Sequence, residues 1–229
     1  VVFDQVFLHL GYGGLLGAFC LRYIYVRGEW LKQQKSELNA RIQAMQARIH
    51  PHFLFNSLNS VVSLIGSDPD RAEQMLIDLS RLFRASFQEL KLVKLTEEIQ
   101  LCQHYLAIEK VRLGSRLDVE WNIQQPEQLH QVMIPLLTLQ PLLENCIFHG
   151  VEKKQANAKI VILVEILQNQ VTIVITNPFI LDKMESRESH GIAVENVKQR
   201  LKAHFGYSVQ FRNHAGNGIF TTVLQYQYK

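Results

Sequence analysis

Gly114 divides the sequence into two kinds of hydrophobic periodicity, and a single-layer fold accommodates only one of them. Before it, apolar residues recur at helical spacing. After it, "LDVEWNI" (117–123) alternates apolar and polar residues as a half-buried strand does. The helical half holds one pattern from about Pro51 to Ile65, closed by the turn signal "GSDPD". A second runs from about Arg71 to Leu90, with Met75, Leu79, Leu82, Phe83, Phe87 and Leu90 on one face. A third opens at "LTEEI", with Thr96 as N-cap and Glu97 and Glu98 at the positive helix end, and closes at Leu113. Beyond Gly114, "IPLLTLQPLLENCIFHG" (134–150) reads as a mostly apolar helix with Glu144, Asn145 and His149 near its end. "KIVILVEIL" and "QVTIVIT" read as a hairpin turning at Gln168-Asn169. Residues 178–190 read as a loop, "GIAVENVKQRLKAHFG" (191–206) as a helix, and "YSVQFRN" and "IFTTVLQYQ" as closing strands. The sum is an α+β chain whose helices come first.

The N-terminal end is a different kind of segment. From Val6 to Val26 it is almost uncharged, and as a helix it reaches about 31 Å, against roughly 30 Å of hydrocarbon in a bilayer. Tyr23, Tyr25 and Trp30 resemble an interfacial belt, and Arg22 and Arg27 put positive charge on the C-terminal side. The expectation is a membrane-spanning helix at 1–27 with everything after Arg27 in the cytoplasm; a buried soluble helix is the alternative. Leu31, Leu38, Ile42, Met45 and Ile49 then form an a/d seam broken by Lys35, which predicts a coiled-coil linker over 28–49. The net charge of +3 is dispersed, without the basic footprint of a nucleic-acid binder. Cys20, Cys102 and Cys146 lie far apart, without metal or redox spacing, and fit a reducing compartment.

The segment "RIHPHFLFNSLNS" (48–60) holds the candidate chemistry. With about 100° per residue and His52 at zero, Asn56, Asn59 and Ser63 fall within about 40° of it, while Leu54, Leu58, Val61 and Ile65 cluster near 210°. His52 therefore tops a polar stripe opposite an apolar seam, and His50 falls on the seam side as packing. Pro51 between them starts or bends the helix, a joint between the expected coil and the His52 helix.

"IHPHFLFNSLNS" joined to "LQPLLENCIFHG" resembles the LytS/AlgZ-type sensor histidine kinases. The first matches their phosphoacceptor box and the second the N-box of their GHKL-type ATP-binding domain. "YLAIEKVRLGSRLDVEW" matches the stretch joining the two domains, and "GIAVENVKQRL" and "GNGIFTTV" look like the glycine box and closing strand. The resemblance covers about residues 40–229. It implies a dimerisation and phosphoacceptor region at 50–115 and a GHKL-type α/β sandwich at 116–229. It implies a homodimer in the bacterial inner membrane, with ATP and Mg2+ as cofactors and a response regulator, commonly of the LytTR DNA-binding type, as partner; direct nucleic-acid binding is not implied.

Carried over residue by residue, His52 is the phosphoacceptor, Asn145 a Mg2+ ligand, Glu144 the orienter of a metal-bound water and His149 a phosphate contact. Helix-end polarity remains the alternative for Glu144 and His149. Gly191 and the N-terminus of its helix would receive phosphate oxygens, with Asn196 a buried polar contact beside them. Three features depart from the family's superfamily pattern. "VITNPF" puts Asn177 beside Thr176 and Pro178 where an adenine-reading Asp and a Gly usually stand. Phe148 replaces a phosphate-binding Lys, and "ILDKMESRESHG" has one glycine. Phe53 follows His52 where many histidine kinases have an acidic base, which leaves proton acceptance to Asn56 with water or to the ATP domain. Two functions stay open: an active sensor kinase, and a weakly catalytic pseudokinase or phosphorelay scaffold. The phosphoacceptor box argues against a third, a chaperone- or topoisomerase-type ATPase.

Overall fold

The computed structural model describes residues 2–46, 51–88, 91–152, 157–179 and 188–228, with the backbone alone for 2–10, 37–46 and 188–193. The chain forms two units, residues 1–49 and 50–229. The first unit is one helix, α1 (Val2–Gln46), continuous through Gly28. Its apolar side chains are uncovered, with Leu15, Leu16, Phe19 and Leu21 all about seven-tenths exposed. Among the described residues, no helix is long and apolar enough to cross a membrane. Four glycines (Gly11, Gly13, Gly14, Gly17) and the charges of Arg22, Arg27 and Glu29 dilute the hydropathy of this stretch. Of the expected seam, Leu31 is exposed, the side chains of Leu38, Ile42 and Met45 are not described, and Ile49 and His50 lie outside the described residues.

The second unit begins with α2 (Pro51–Ile65), which opens on proline, a residue suited to the first helical position because its missing N–H has no partner there anyway. α3 (Pro69–Phe87) follows, capped by Asp68, whose carboxylate accepts from Arg71 N at 3.2 Å. The strand β1 (Leu92–Lys94) leads directly into α4 (Leu95–Leu113). The expected cap at Thr96 is corrected: the helix starts two residues earlier, with Lys94 at the cap position and no side-chain bond there. The reason is long-range. β1 pairs antiparallel with β3 (Met133–Pro135), and Leu95 N donates to Val132 O at 2.8 Å, so a strand partner does the work of a cap. α4 ends as expected at Gly114, at φ +59°, a left-handed conformation that favours glycine.

The predicted helix over 134–150 is corrected as well. Ile134 sits in β3, Leu137 turns through φ +59°, and α5 spans only Gln140–Cys146, continued by a π-helical turn at Ile147–Val151. Pro135 and Pro141 bracket the break, each lacking a backbone donor.

The main sheet has five strands: β2 (Leu117–Ile123), β4 (Ala158–Leu167), β5 (Gln170–Pro178), β6 (Gln210–Gly216) and β7 (Ile219–Gln227), in the order β2-β4-β5-β7-β6. β2 and β4 run parallel, and every other neighbouring pair in this sheet runs antiparallel. Ile162 lies opposite Ile175, and Ile173 opposite Leu224. Ile160, Ile162, Val164, Val171, Ile173, Ile175, Leu224 and Tyr226 are all buried, as period-2 alternation requires. Each such aliphatic contributes about 1.5–3 kcal/mol by leaving water. Val197 and Leu201 of α6 (Glu188–Phe205) are fully buried in the same core. α6 starts three residues before the expected Gly191.

Candidate functional site

α2 presents His52 to solvent, and Asn56 one turn on places its amide nitrogen 3.2 Å from Nδ1 and 3.1 Å from Nε2. The polar stripe read from periodicity is therefore a contact. With the two ring nitrogens at nearly equal distance, the amide nitrogen stands over the face of the imidazole and aims at neither lone pair. The buried face of α2 is also rotated from the expectation. Ser57 and Val61 are buried and Phe53, Leu54 and Leu64 pack on the core, whereas Phe55, Leu58, Val62 and Ile65 are exposed. The face turns because Phe53 meets Tyr105 of α4, with ring centroids 5.1 Å apart. α3 meets α4 through Asp78, which is buried and accepts from His104 Nδ1 at 2.9 Å and Gln74 Nε2 at 3.0 Å. His104 Nε2 lies 3.2 Å from Arg81 Nη1, so Nδ1 carries the proton and Nε2 accepts.

α5 and its π-helical turn carry the second group. Gln140 Nε2 donates to Glu144 at 2.9 Å, tying the half-buried Glu144 to the helix start. Asn145 is half-buried, and its Nδ2 is buried without a hydrogen-bond partner among the described residues, as is Gln140 Oε1. His149 is buried and meets the exposed Phe148 edge to face at 4.8 Å. Gly150 lies against the end of β5: a Cβ there would stand 2.7 Å from both Asn177 Nδ2 and Pro178 O. Asn177 is buried and donates from Nδ2 to Pro178 O at 2.8 Å. The turn after α5 and the end of β5 thus meet at Gly150, which gathers His149 and Asn177 at one place, with Asn145 and Glu144 on the helix leading to it. Asn196 is not the expected buried contact, since it is exposed on α6. Gly191 falls inside the first turn of α6 and not ahead of it.

The long helix α4 borders both groups. Glu98 is fully buried, and its carboxylate accepts from Leu137 N at 2.8 Å, Leu139 N at 2.7 Å and Gln140 N at 3.5 Å. Burial pushes its carboxyl above the ordinary value, and the N–H groups of Leu139, Leu137, Gln140 and Thr138 oppose that rise. Near the other end, Arg112 Nε donates to Glu109 at 2.8 Å and Nη2 reaches Glu152 at 2.6 Å. Burial raises the Glu109 carboxyl and the Arg112 guanidinium opposes it. Arg116 Nη2 donates to the carbonyls of Val151 and Glu152 at 3.3 and 3.2 Å. Neither buried cysteine fits a nucleophile: burial pushes the Cys146 thiol to about 12 and Cys102 well above its ordinary value. Among the described residues, no group of three or more His, Cys, Asp or Glu side chains is placed to hold a metal.

The sequence reading missed Glu98, Arg112, Gln140 and Gly150. Glu98 was legible in part, because it sits at helical spacing between Leu95 and Cys102 on the stripe that α4 buries. A charge on an apolar stripe calls for a partner, but its partners lie 39 to 42 residues away.

A histidine kinase family model matches residues 40–117. Sensor histidine kinase YpdA of Escherichia coli is 33% identical over 197 residues, covering 81% of this chain and 34% of that protein. Sensor histidine kinase/phosphatase LytS of Staphylococcus aureus is 32% identical over 216 residues, covering 87% and 37%. The chain thus spans about a third of the length of these relatives. Among solved structures, the histidine kinase domain of a blue-light activated histidine kinase from Erythrobacter litoralis aligns over 83% of this chain and 95% of its own, with 13% identity and a TM-score of 0.45.

Proposed function

Because the chain belongs to the LytS-type sensor histidine kinases, we propose that it transfers the γ-phosphoryl group of ATP to His52 and passes that group to an aspartate of a response regulator. The observation that carries this reading is an exposed imidazole, held by Asn56, on a helix whose other face is committed to the core. A neutral imidazole is a good nucleophile near pH 7. The lone-pair nitrogen attacks the γ-phosphorus, the bond to the β,γ-bridging oxygen breaks, and ADP leaves. Asn56, stacked on the ring, orients it for the attack.

The nucleotide belongs beside Asn145. Its partnerless buried amide nitrogen and the buried Gln140 Oε1 are polar atoms that an apolar pocket would not tolerate, so they fit a polar ligand. Asn145 Oδ1 would hold Mg2+, which takes few protein ligands and several phosphates and waters. Bound there, the ion neutralises phosphate charge. Asn177, with Nδ2 committed to Pro178 O, would receive the adenine amino group on Oδ1, without the charge of the usual Asp. Glu144 and His149 border the phosphates.

The deciding experiment is incubation with γ-labelled ATP and Mg2+. Acid-labile label on His52 is the expected result. A chain that takes no label from ATP, yet accepts phosphate at His52 from a phosphorylated regulator, is the scaffold and not the kinase. The regulator is proposed to be of the LytTR DNA-binding class, on the strength of the family resemblance alone.

A homodimer is supported by the uncovered apolar stripe Phe55, Leu58, Val62 and Ile65 on α2, with Leu76 and Ile77 exposed on α3. Val62 is 69% exposed, so a Val62→Glu chain should fold normally and sediment as a monomer; sedimentation as a dimer rules this face out. The inner membrane is proposed as the location, with residues after Arg27 in the cytoplasm, and the uncovered apolar side chains of α1 support it. The chain should then stay in the membrane fraction through alkaline carbonate washing, and its release into the wash would count against a span.

A further inference from the structure

Helix α4 touches α5 and its π-helical turn at both ends, with opposite charges. At the start, Glu98 in the first turn of α4 accepts from Leu137, Leu139 and Gln140. At the finish, Arg112 in the last turn of α4 pairs with Glu152, and Arg116 just beyond holds the carbonyls of Val151 and Glu152. A carboxylate therefore stands at the positive end of the Asn145 helix and guanidinium groups at the negative end. The spacings are similar in sequence: Glu98 and Arg112 stand 14 residues apart on α4, and the groups they hold at Leu139 and Glu152 stand 13 apart. Two helices running parallel and joined at both ends are restrained against sliding or rotating past each other.

Two details show that this is more than a surface ion pair. Leu137 holds φ +59°, a conformation that a leucine adopts only when its surroundings impose it, and its N–H is one of the donors Glu98 binds. Arg112 is itself set by Glu109, a buried carboxylate one turn earlier on α4. α4 also carries Tyr105 against Phe53, the neighbour of His52, and His104 against Asp78 of α3. The helix that fixes Asn145 thus also fixes the base of the His52 helix.

We propose that α4 is a splint in which Glu98 and Arg112 are positioning residues, holding the Asn145 helix from its two ends and referring the nucleotide site to the His52 helix. This rests on the reading of Asn145 as a magnesium–nucleotide ligand. Neither residue touches nucleotide; each acts through the placement of Asn145. The metal-dependent share of nucleotide affinity is therefore the quantity that the splint sets.

The test measures ATP affinity of the whole chain in Mg2+ and in EDTA, by calorimetry, for the unchanged protein and for Glu98→Gln and Arg112→Lys. A glutamine offers one acceptor oxygen and turns an NH2 toward the other N–H group. Glu98→Gln should lower the Mg2+ enhancement of affinity by about 10- to 100-fold, as loss of a group that orients a metal ligand does. Arg112→Lys keeps the charge but not the fork, and should lose part of the enhancement. Circular dichroism establishes folding at the temperature used. An unaltered enhancement in folded Glu98→Gln overturns the splint; if that variant does not fold, an unaltered enhancement in Arg112→Lys overturns it. An unchanged protein that binds no ATP overturns the nucleotide reading itself, and the splint with it.

Discussion

A His52→Ala chain incubated with Mg2+ and γ-labelled ATP retains no acid-labile label, while an Asn56→Ala chain retains part of it. The first loss is complete because, among the described residues, no other histidine is placed as His52 is: exposed, on α2, and held by an amide at 3.1 and 3.2 Å from its two ring nitrogens. The second is partial because Asn56 contributes orientation only. One net hydrogen bond is worth about 0.5–1.5 kcal/mol, which is roughly a 2- to 10-fold change in rate. A faster Asn56→Ala chain rules out that orienting role. His50→Ala keeps the label on the sequence reading. Label that survives in His52→Ala would move the phosphoacceptor elsewhere and sink the assignment.

Gly150→Ala weakens ATP binding by more than it weakens the fold. The added Cβ would lie 2.7 Å from Asn177 Nδ2 and 2.7 Å from Pro178 O, closer than carbon sits to either atom. Asn177 has little room to retreat, being 4% exposed and bonded to Pro178 O. Pro178 belongs to β5, paired with Ile219 of β7, so its carbonyl moves only with the sheet. Overpacking of this kind costs about 1–3 kcal/mol. The relief route separates the end of β5 from the turn after α5, which is where Asn177 and Asn145 are brought to one site. Thermal melting and ATP calorimetry on the same variant check both halves. A Gly150→Ala chain that melts and binds as the unchanged protein does shows that the approach imposes no constraint.

Much of the local structure was legible in the sequence. Gly114 ends a helix in a left-handed conformation that glycine accommodates, and Gln168-Asn169 turns a hairpin between two runs of buried aliphatic residues. The polar stripe of α2 put Asn56 beside His52 by helical arithmetic alone. Element boundaries failed where a partner far along the chain decided them. Thr96 looked like a cap, but Val132, just ahead of β3, supplies the acceptor at the start of α4. Residues 134–139 looked helical because they are apolar, yet pairing with β1 and two prolines make them a strand and a turn. Apolar character marks burial, and it does not distinguish a buried strand from a buried helix.

The site divides along the same line. The sequence by itself determined which residue types stand at which local spacing: a histidine and an amide one turn apart on α2, and an amide and a glycine around the turn after α5. Only the tertiary structure decided how they are held. Glu98 reads as a solvated charge at a helix start, and becomes a fully buried acceptor because three N–H groups 39 to 42 residues away need one. Asn196 reads as buried and is exposed. Burial and hydrogen-bond partnership depend on which distant segments meet, and that is a sum over the whole packed chain that no local pattern contains.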